Sequence, residues 1–234
     1  MNPQEPEVNP SVEVENVTKI YPQGETEVRA LNGLSLAIQP GEFTAICGPS
    51  GSGKTTLLNL MGALDKPTSG EVRVDGQNLG ELGRRDLSHL RRDRIGFVFQ
   101  AYNLIPVLTA YENAEMVLRL QGTEESERRA RVMELLADVG LEGLADRRPN
   151  QLSGGQQQRV AIARAIASNP AVVLADEPTA NVDSETADRL LEIMEKLNRE
   201  RGETFIFSTH DPRVLERAKR VVRIVDGQVE EDNR

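Results

Sequence analysis

Three short segments carry residue types that could do chemistry together. The first is Gly48-Pro49-Ser50-Gly51-Ser52-Gly53-Lys54-Thr55, a full match to G-x-x-x-x-G-K-[ST]. Glycines let such a backbone curl until several N–H groups point at one phosphate chain, and a following helix adds positive potential at its N-terminus. Lys54 would reach the β- and γ-phosphates of a nucleotide, and the Thr55 hydroxyl would face Mg²⁺. Thr56, the next residue, is counted with this phosphate-binding set. Composition alone would produce the string in roughly one chain per hundred, so its surroundings decide. A short apolar run, Phe43-Thr44-Ala45-Ile46-Cys47, precedes it and a helix-like run, 56–61, follows. The competing reading is a Gly/Ser turn with a solvated lysine.

The second segment is Val172-Val173-Leu174-Ala175-Asp176-Glu177, an apolar run ending in two carboxylates. Buried strands of a parallel sheet read this way, and ligands gather at their C-terminal ends. Asp176 could help hold Mg²⁺ through water, and Glu177 could take a proton from an attacking water. An acidic helix cap is the alternative. The third segment is Leu152-Ser153-Gly154-Gly155-Gln156. Ser153 and Gln156 form an S-x-x-Q capping box, so a helix should start here, and two glycines at a helix N-terminus make a second anion site. About a hundred residues separate it from the first loop, which tells against one loop gripping one nucleotide. A merely structural helix start is the competing reading.

These residues need elements to position them. Val12 and Val14 alternate with Glu13 and Glu15, and Leu34, Leu36 and Ile38 alternate again; both patterns read as strands. Asp75-Gly76 and Asp226-Gly227 read as hairpin turns. In the middle, Thr123 is a plausible N-cap for a helix carrying Val132, Leu135, Leu136 and Val139 on one face, closed by Gly140. A later helix should run from about Ser184 to Arg201 on the stripe Ala187, Leu190, Leu191, Met194 and Leu197, and end at Gly202. Residues 204–208 read as a strand, and Asp211-Pro212 as N-cap and first helical position. Strands alternating with helices around a helix-rich middle predict an α/β core with a helical insertion at about 101–155. Residues 1–10, with three prolines, read as a loose tail. The rest, 11–234, reads as one domain.

Composition bounds the function. The chain has 234 residues, 37 acidic against 28 basic, and a formal net charge of -9. That argues against a broad nucleic-acid surface. The arginines at 84, 85, 91, 92 and 94 read as a solvated helix face, with His89 solvated among them. No apolar run approaches the roughly 18 residues of a membrane helix. The start, MNPQEPEVNP, has neither a basic region nor an apolar stretch, so no signal peptide is expected. The single cysteine, Cys47, forms no internal disulfide and reads as a small packed residue; a reducing cytoplasm is the simplest setting.

Taken together, the segments resemble the ATP-binding cassette (ABC) ATPases over about residues 12–230. The resemblance implies a P-loop NTPase core with a parallel sheet, an N-terminal antiparallel β subdomain and an inserted α-helical subdomain. It implies ATP and Mg²⁺ as cofactors and a head-to-tail homodimer. The nucleotide would sit between the phosphate loop of one subunit and Ser153, Gly154, Gly155 and Gln156 of the other. By the same resemblance Tyr21 would stack on adenine, Gln100 would contact Mg²⁺ and the attacking water, Asp183 would link the two sites, and His210 would sense the γ-phosphate. Tyr21 could instead cap a strand, Gln100 be a solvated loop residue, and His210 a surface residue. Asn181-Val182 departs from the usual Ala-Leu pair before Asp183.

Within the family the chain is most similar to the LolD/MacB/FtsE-like lipoprotein-release and macrolide-export group. The stretches that carry this are GPSGSGKTTLLNLMGALDKPTSG (48–70), IGFVFQAYNLIPVL (95–108) and LSGGQQQRVAIARAI (152–166). The implied partner is an integral membrane permease subunit, on the cytoplasmic face of the inner membrane. Residues 101–109 would dock it, or form the root of the helical lobe. An importer ATPase, as in amino-acid uptake, and a soluble cassette are the alternatives.

Overall fold

The computed structural model describes residues 9–24 and 26–233. Of the expected tail, residues 1–8 lie outside the described residues. The chain runs β1 (Val12–Gln23), β2 (Thr26–Ile38), β3 (Phe43–Cys47), α1 (Lys54–Met61), β4 (Ser69–Val74), β5 (Gln77–Asn78), α2 (Arg84–Arg94) and β6 (Ile95–Phe99). It continues through α3 (Ala110–Gln121), α4 (Glu125–Asp138), a 3₁₀ turn (Pro149–Gln151), α5 (Gly154–Ile166), β7 (Val172–Asp176), α6 (Ser184–Arg201), β8 (Phe205–Ser208), α7 (Pro212–Arg217), β9 (Arg220–Val225) and β10 (Gln228–Asp232).

Two sheets form. Six strands lie in the order β10-β9-β3-β8-β7-β6, parallel except for β10. Four more, β2-β1-β4-β5, form an antiparallel sheet. This is the expected α/β architecture. The first four residues of β3 and of β7 and all of β8 are buried, because apolar layers cover both faces of the parallel sheet. Phe43, Phe205 and Phe207 stack within 4.7–5.8 Å of one another in one layer, against α5 and α6. The other layer joins the two sheets through Val12, Ile38, Leu57 and Leu60. Between β6 and β7 lie α3, α4 and α5; α5 starts just before residue 155 and runs on to Ile166, packed on β6. Among the described residues no helix is long and apolar enough to cross a membrane.

Local chemistry sets the element ends. α6 starts on Asp183, whose carboxylate accepts from the Thr186 N–H, and stops on Gly202 at φ 70°. Its buried stripe is the expected one, with Asn198 added. Asp75-Gly76 and Asp226-Gly227 all have positive φ, the geometry a two-residue hairpin turn requires. α4 corrects the sequence reading: Glu124, not Thr123, caps it by accepting from Ser126 N at 2.8 Å. Thr123 N instead donates to Leu118 O at the end of α3. Three of the α2 arginines are a second correction, while Arg84 and Arg85 are exposed as expected. Arg91 donates to Ala63 O, Arg92 to Leu120 O, and Arg94 to the Asp75 carboxylate. Their heads stitch α2 to its neighbours instead of facing water alone. Cys47 is half-buried, and burial pushes its thiol pKa up.

Candidate functional site

Four parallel strands, β3, β8, β7 and β6, end along one edge of the sheet. Ile46 pairs with Ser208, Ser208 with Asp176, and Asp176 with Phe99. The loops that leave these ends carry the phosphate loop, His210, Glu177 and Gln100. Ligands collect at such an edge because loops diverge there and leave a crevice.

Gly48, Gly51 and Gly53 have φ of 143°, 79° and 105°. A Cβ on Gly48 would lie 2.0 Å from Ile224 O, and one on Gly53 would lie 2.4 Å from Ala30 O. Space and backbone conformation both demand glycine at these two positions. Lys54 Nζ donates to Gly48 O at 2.8 Å and Pro49 O at 3.0 Å, which holds the ammonium over the mouth of its own loop. Ser52 is buried, and its hydroxyl has no partner among the described residues.

An open cavity of about 760 Å³ lies over this loop. Its wall holds Gly48, Pro49, Ser50, Gly51, Gly53, Lys54, Thr55, Thr56, Gln100, Asp176, Glu177 and His210. Twelve residues singled out from the sequence therefore share one space. Val28, Arg29 and Ala30 of β2 and Ser208 of β8 also line it and were missed. Val28 is apolar yet 45% exposed; in the sequence it shows only as an apolar residue between Glu27 and Arg29, which does not point to a cavity.

Glu177 sits at φ 45°, a left-handed conformation that costs a non-glycine residue about 1–3 kcal/mol. The bend turns its carboxylate toward the β8 loop. Oε2 accepts from Thr209 Oγ1 at 2.9 Å, and Oε1 pairs with His210 Nδ1 at 2.6 Å. Burial raises the Asp176 pKa; Ser208 opposes the rise, Glu177 adds to it and Lys54 opposes it. A cation beside Asp176 would relieve that cost. Thr55, Gln100 and Asp176 offer a hydroxyl, an amide oxygen and a carboxylate to one cavity, a donor set suited to Mg²⁺.

Other predicted residues lie elsewhere. Tyr21 is not part of the cavity wall. Its hydroxyl donates to Asp65 at 2.8 Å, the Lys19 ammonium lies 4.7 Å from its ring centroid, and burial followed by Asp65 raises its pKa. Asp183 is exposed and caps α6, where hydrogen bonds from Thr186 lower its pKa. The capping box forms: Gln156 N donates to Ser153 Oγ at 3.3 Å, and Ser153 N to Gln156 Oε1 at 2.9 Å. None of residues 153–156 lines the cavity. Gly155 packs instead on the first turn of α6, where its Cβ would lie 2.2 Å from Thr186 Cγ2, and a Cβ on Gly154 would lie 2.8 Å from the Tyr102 hydroxyl.

The departure at Asn181 has a structural partner. Asn181 Nδ2 donates to Gln100 O at 2.9 Å, Gln100 Nε2 to Asn181 Oδ1 at 3.4 Å, and the Tyr102 hydroxyl to Asn181 O at 3.1 Å. Asp211 ties the other loop: Thr179 Oγ1 donates to it at 2.7 Å, and Arg213 holds its pKa down at about 2. In segment 101–109, Val107 is 69% exposed, while Leu104 packs against the core and Asn113 Nδ2 donates to Ile105 O.

The family description that matches the sequence is ABC transporter, over residues 31–180. The ABC transporter ATP-binding protein MJ0796 of Methanocaldococcus jannaschii is 48% identical over 227 residues, covering 95% of this chain and 97% of that protein. The macrolide export ATP-binding/permease protein MacB of Hyphomonas neptunium is 50% identical over 96% of this chain, which spans only 35% of that longer protein. Among solved structures, the MJ0796 cassette dimer in a post-hydrolysis state bound to ADP and Pi superposes with a TM-score of 0.86, at 48% identity over 95% of this chain and 98% of that one. A second dimeric MJ0796 structure gives 0.87. With this site at the strand ends and these likenesses over nearly its whole length, the chain belongs to the ABC transporter family and is one of its ATP-binding, ATP-hydrolysing cassettes.

Proposed function

We propose that two copies of this chain meet head to tail around two ATP molecules and drive a separate membrane subunit. The observation that carries this reading is the division of the anion-binding elements. The phosphate loop, Asp176, Glu177 and His210 line one cavity, while residues 153–156 stand outside it. A second copy offers its own 153–156 turn to complete the site. The dimeric MJ0796 structures, similar over 95% of this chain, support that arrangement.

In this reading the N–H groups of the 48–55 loop and Lys54 bind the phosphates, and Thr56 adds a hydroxyl beside them. Thr55, Gln100 and Asp176 would hold Mg²⁺, which supplies positive charge against the β- and γ-oxygens. Glu177, fixed by Thr209 and His210, takes the proton of the attacking water, a role typically worth roughly 10²–10⁴ in rate. Gln100 orients that water. His210 and the other copy's Ser153, Gly154, Gly155 and Gln156 read the γ-phosphate. Asp183 passes the state of one site to the other, and Tyr21, outside the cavity wall, would stack on an adenine that extends beyond it. ATP favours the closed pair, and hydrolysis returns it to the open one.

The membrane partner is a permease subunit of the export or mechanical-work type at the cytoplasmic face of the inner membrane. Sequence likeness to the MacB cassette supports this, and exposed Ile105 and Val107 offer an apolar dock. The test is capture of the Glu177→Gln variant from detergent-solubilised native membranes, with and without ATP. A dimer that retains a partner with few membrane helices and a large outer domain is the expected result. A channel-forming partner with a solute-binding protein would make the chain an importer subunit, and a monomer at saturating ATP-Mg²⁺ would count against the shared site.

A further inference from the structure

Gln158 lies in α5, just beyond the 153–156 capping box, with none of its surface exposed. Buried amides normally have both ends hydrogen-bonded. Here Nε2 donates to Pro178 O at 2.7 Å and reaches Phe99 O at 3.5 Å. Oε1 has no partner among the described residues. Pro178 directly follows Glu177, and Phe99 directly precedes Gln100. One side chain therefore grips the backbone from which both the proposed base and the proposed water-orienting residue hang. An apolar residue of the same size would bury no oxygen of its own but would leave the buried Pro178 carbonyl without its 2.7 Å donor, so what the glutamine adds is its hold on that backbone.

We infer that Gln158 is a positioning residue that fixes Glu177 and Gln100 to α5. The inference rests on the two-copy site proposed above, in which the first turn of α5 closes on the nucleotide of the other copy. Five residues, about 7.5 Å of helix axis, separate Ser153 from Gln158. A rigid helix cannot shift at its start without carrying the amide with it. Further along α5, Arg164 donates to Tyr102 O at 3.0 Å and Asn103 O at 2.6 Å. Those residues hold φ of 61° and 50°, so the helix grips the Gln100 loop at a second point. Closure over one ATP is in this way felt at the base of the other site.

The test replaces Gln158 with methionine, of similar length and volume, in the full chain. Steady-state ATP turnover, its Hill coefficient and Tm are measured together. Turnover should fall about tenfold, as a small misplacement of catalytic groups does, with KM for ATP nearly unchanged. The Hill coefficient should fall toward one while Tm falls by no more than the few degrees that one orphaned carbonyl costs. Parental turnover and cooperativity in the variant would overturn the inference. A loss of Tm with turnover and the Hill coefficient of the folded variant at parental values would overturn it too, since Gln158 would then be only a structural buttress. Gln158→Leu repeats the reading if the methionine variant does not fold, and failure of both counts as the buttress outcome. The parent chain separates this inference from its premise. Hydrolysis without cooperativity, together with a monomeric Glu177→Gln variant under ATP, would refute the shared site itself and the inference with it.

Discussion

The 48–55 loop and the first turn of α5 are both built to meet an anion, yet on opposite plans. In the loop, three glycines take φ values between 79° and 143°, and two of them leave no space for a Cβ. Around it lie the charged and hydroxyl groups a nucleotide needs. The α5 start has ordinary helix geometry, closed by a reciprocal Ser153–Gln156 cap, and none of residues 153–156 lines the cavity over the loop. One region is an almost complete pocket; the other is a lid without a pocket beneath it. In the proposed two-copy site, this difference is what a second copy would resolve, by laying its lid over the pocket.

The largest effect should come from the pocket side. Lys54→Ala removes the cation at the loop mouth, and ATP turnover, read as phosphate release, should fall about 10²–10³-fold. Parental turnover would break the assignment. The lid side should fail differently. Gly154→Asp adds a charge that the helix N-terminus tolerates and that an incoming phosphate does not. The new Cβ would lie 2.8 Å from the Tyr102 hydroxyl, the far end of a side chain that can swing aside. No cavity-wall residue is replaced, so nucleotide binding to the isolated chain should persist while turnover falls at least about tenfold. The comparison is sharpest on mixing the two variants. A mixed dimer contains one site with both lesions and one with neither, so part of the turnover should return. No recovery would mean that loop and lid act within one chain.

A smaller effect belongs to the tether between them. Asn181→Ala deletes two side-chain hydrogen bonds with Gln100, at about 1 kcal/mol each. Turnover should drop about five- to thirtyfold, with KM for ATP little changed and Tm within a few degrees. An equal loss on top of Gln100→Ala would show that Asn181 does not act through Gln100.

How much of this was legible follows from the range of the interactions. The loop, the capping box, both Asp-Gly hairpins and the span of α6 are local, and their residue types announce them. Glu177 and His210 were legible as residues that end or follow apolar runs, but their 2.6 Å contact depends on β7 and β8 lying side by side. Val28, Arg29 and Ala30 reach the cavity from the other sheet, and no local pattern encodes a contact between sheets. Thr123 misled because threonine is a good cap in general, while here its N–H closes α3. Arg91, Arg92 and Arg94 misled because a charged helix face looks the same whether its heads meet water or neighbouring carbonyls and carboxylates.

The smallest effect tests whether charge at the opposite edge of the sheet stays out of both regions. Glu203 is buried just before β8 begins, whereas Ser208 ends that strand at the cavity. Burial raises the Glu203 pKa to about 7 against Arg201 and Arg131, which lower it. The folded chain therefore holds this proton more tightly than the unfolded chain, whose glutamate titrates near 4.3. The resulting stability is complete below that lower pKa and is lost as pH rises through about 7. At pH 8 the fold carries a buried carboxylate that glutamine would not. Glu203→Gln should raise Tm at pH 8, by about 2–4 °C for each kcal/mol recovered, and the gain should vanish near pH 4. Turnover should stay at the parental level, because five residues of extended chain, about 16 Å, separate Glu203 from the catalytic edge. A turnover change as large as that of Asn181→Ala would mean that the far edge of β8 communicates with the loop, and the two anion sites would no longer be the only regions that set the rate.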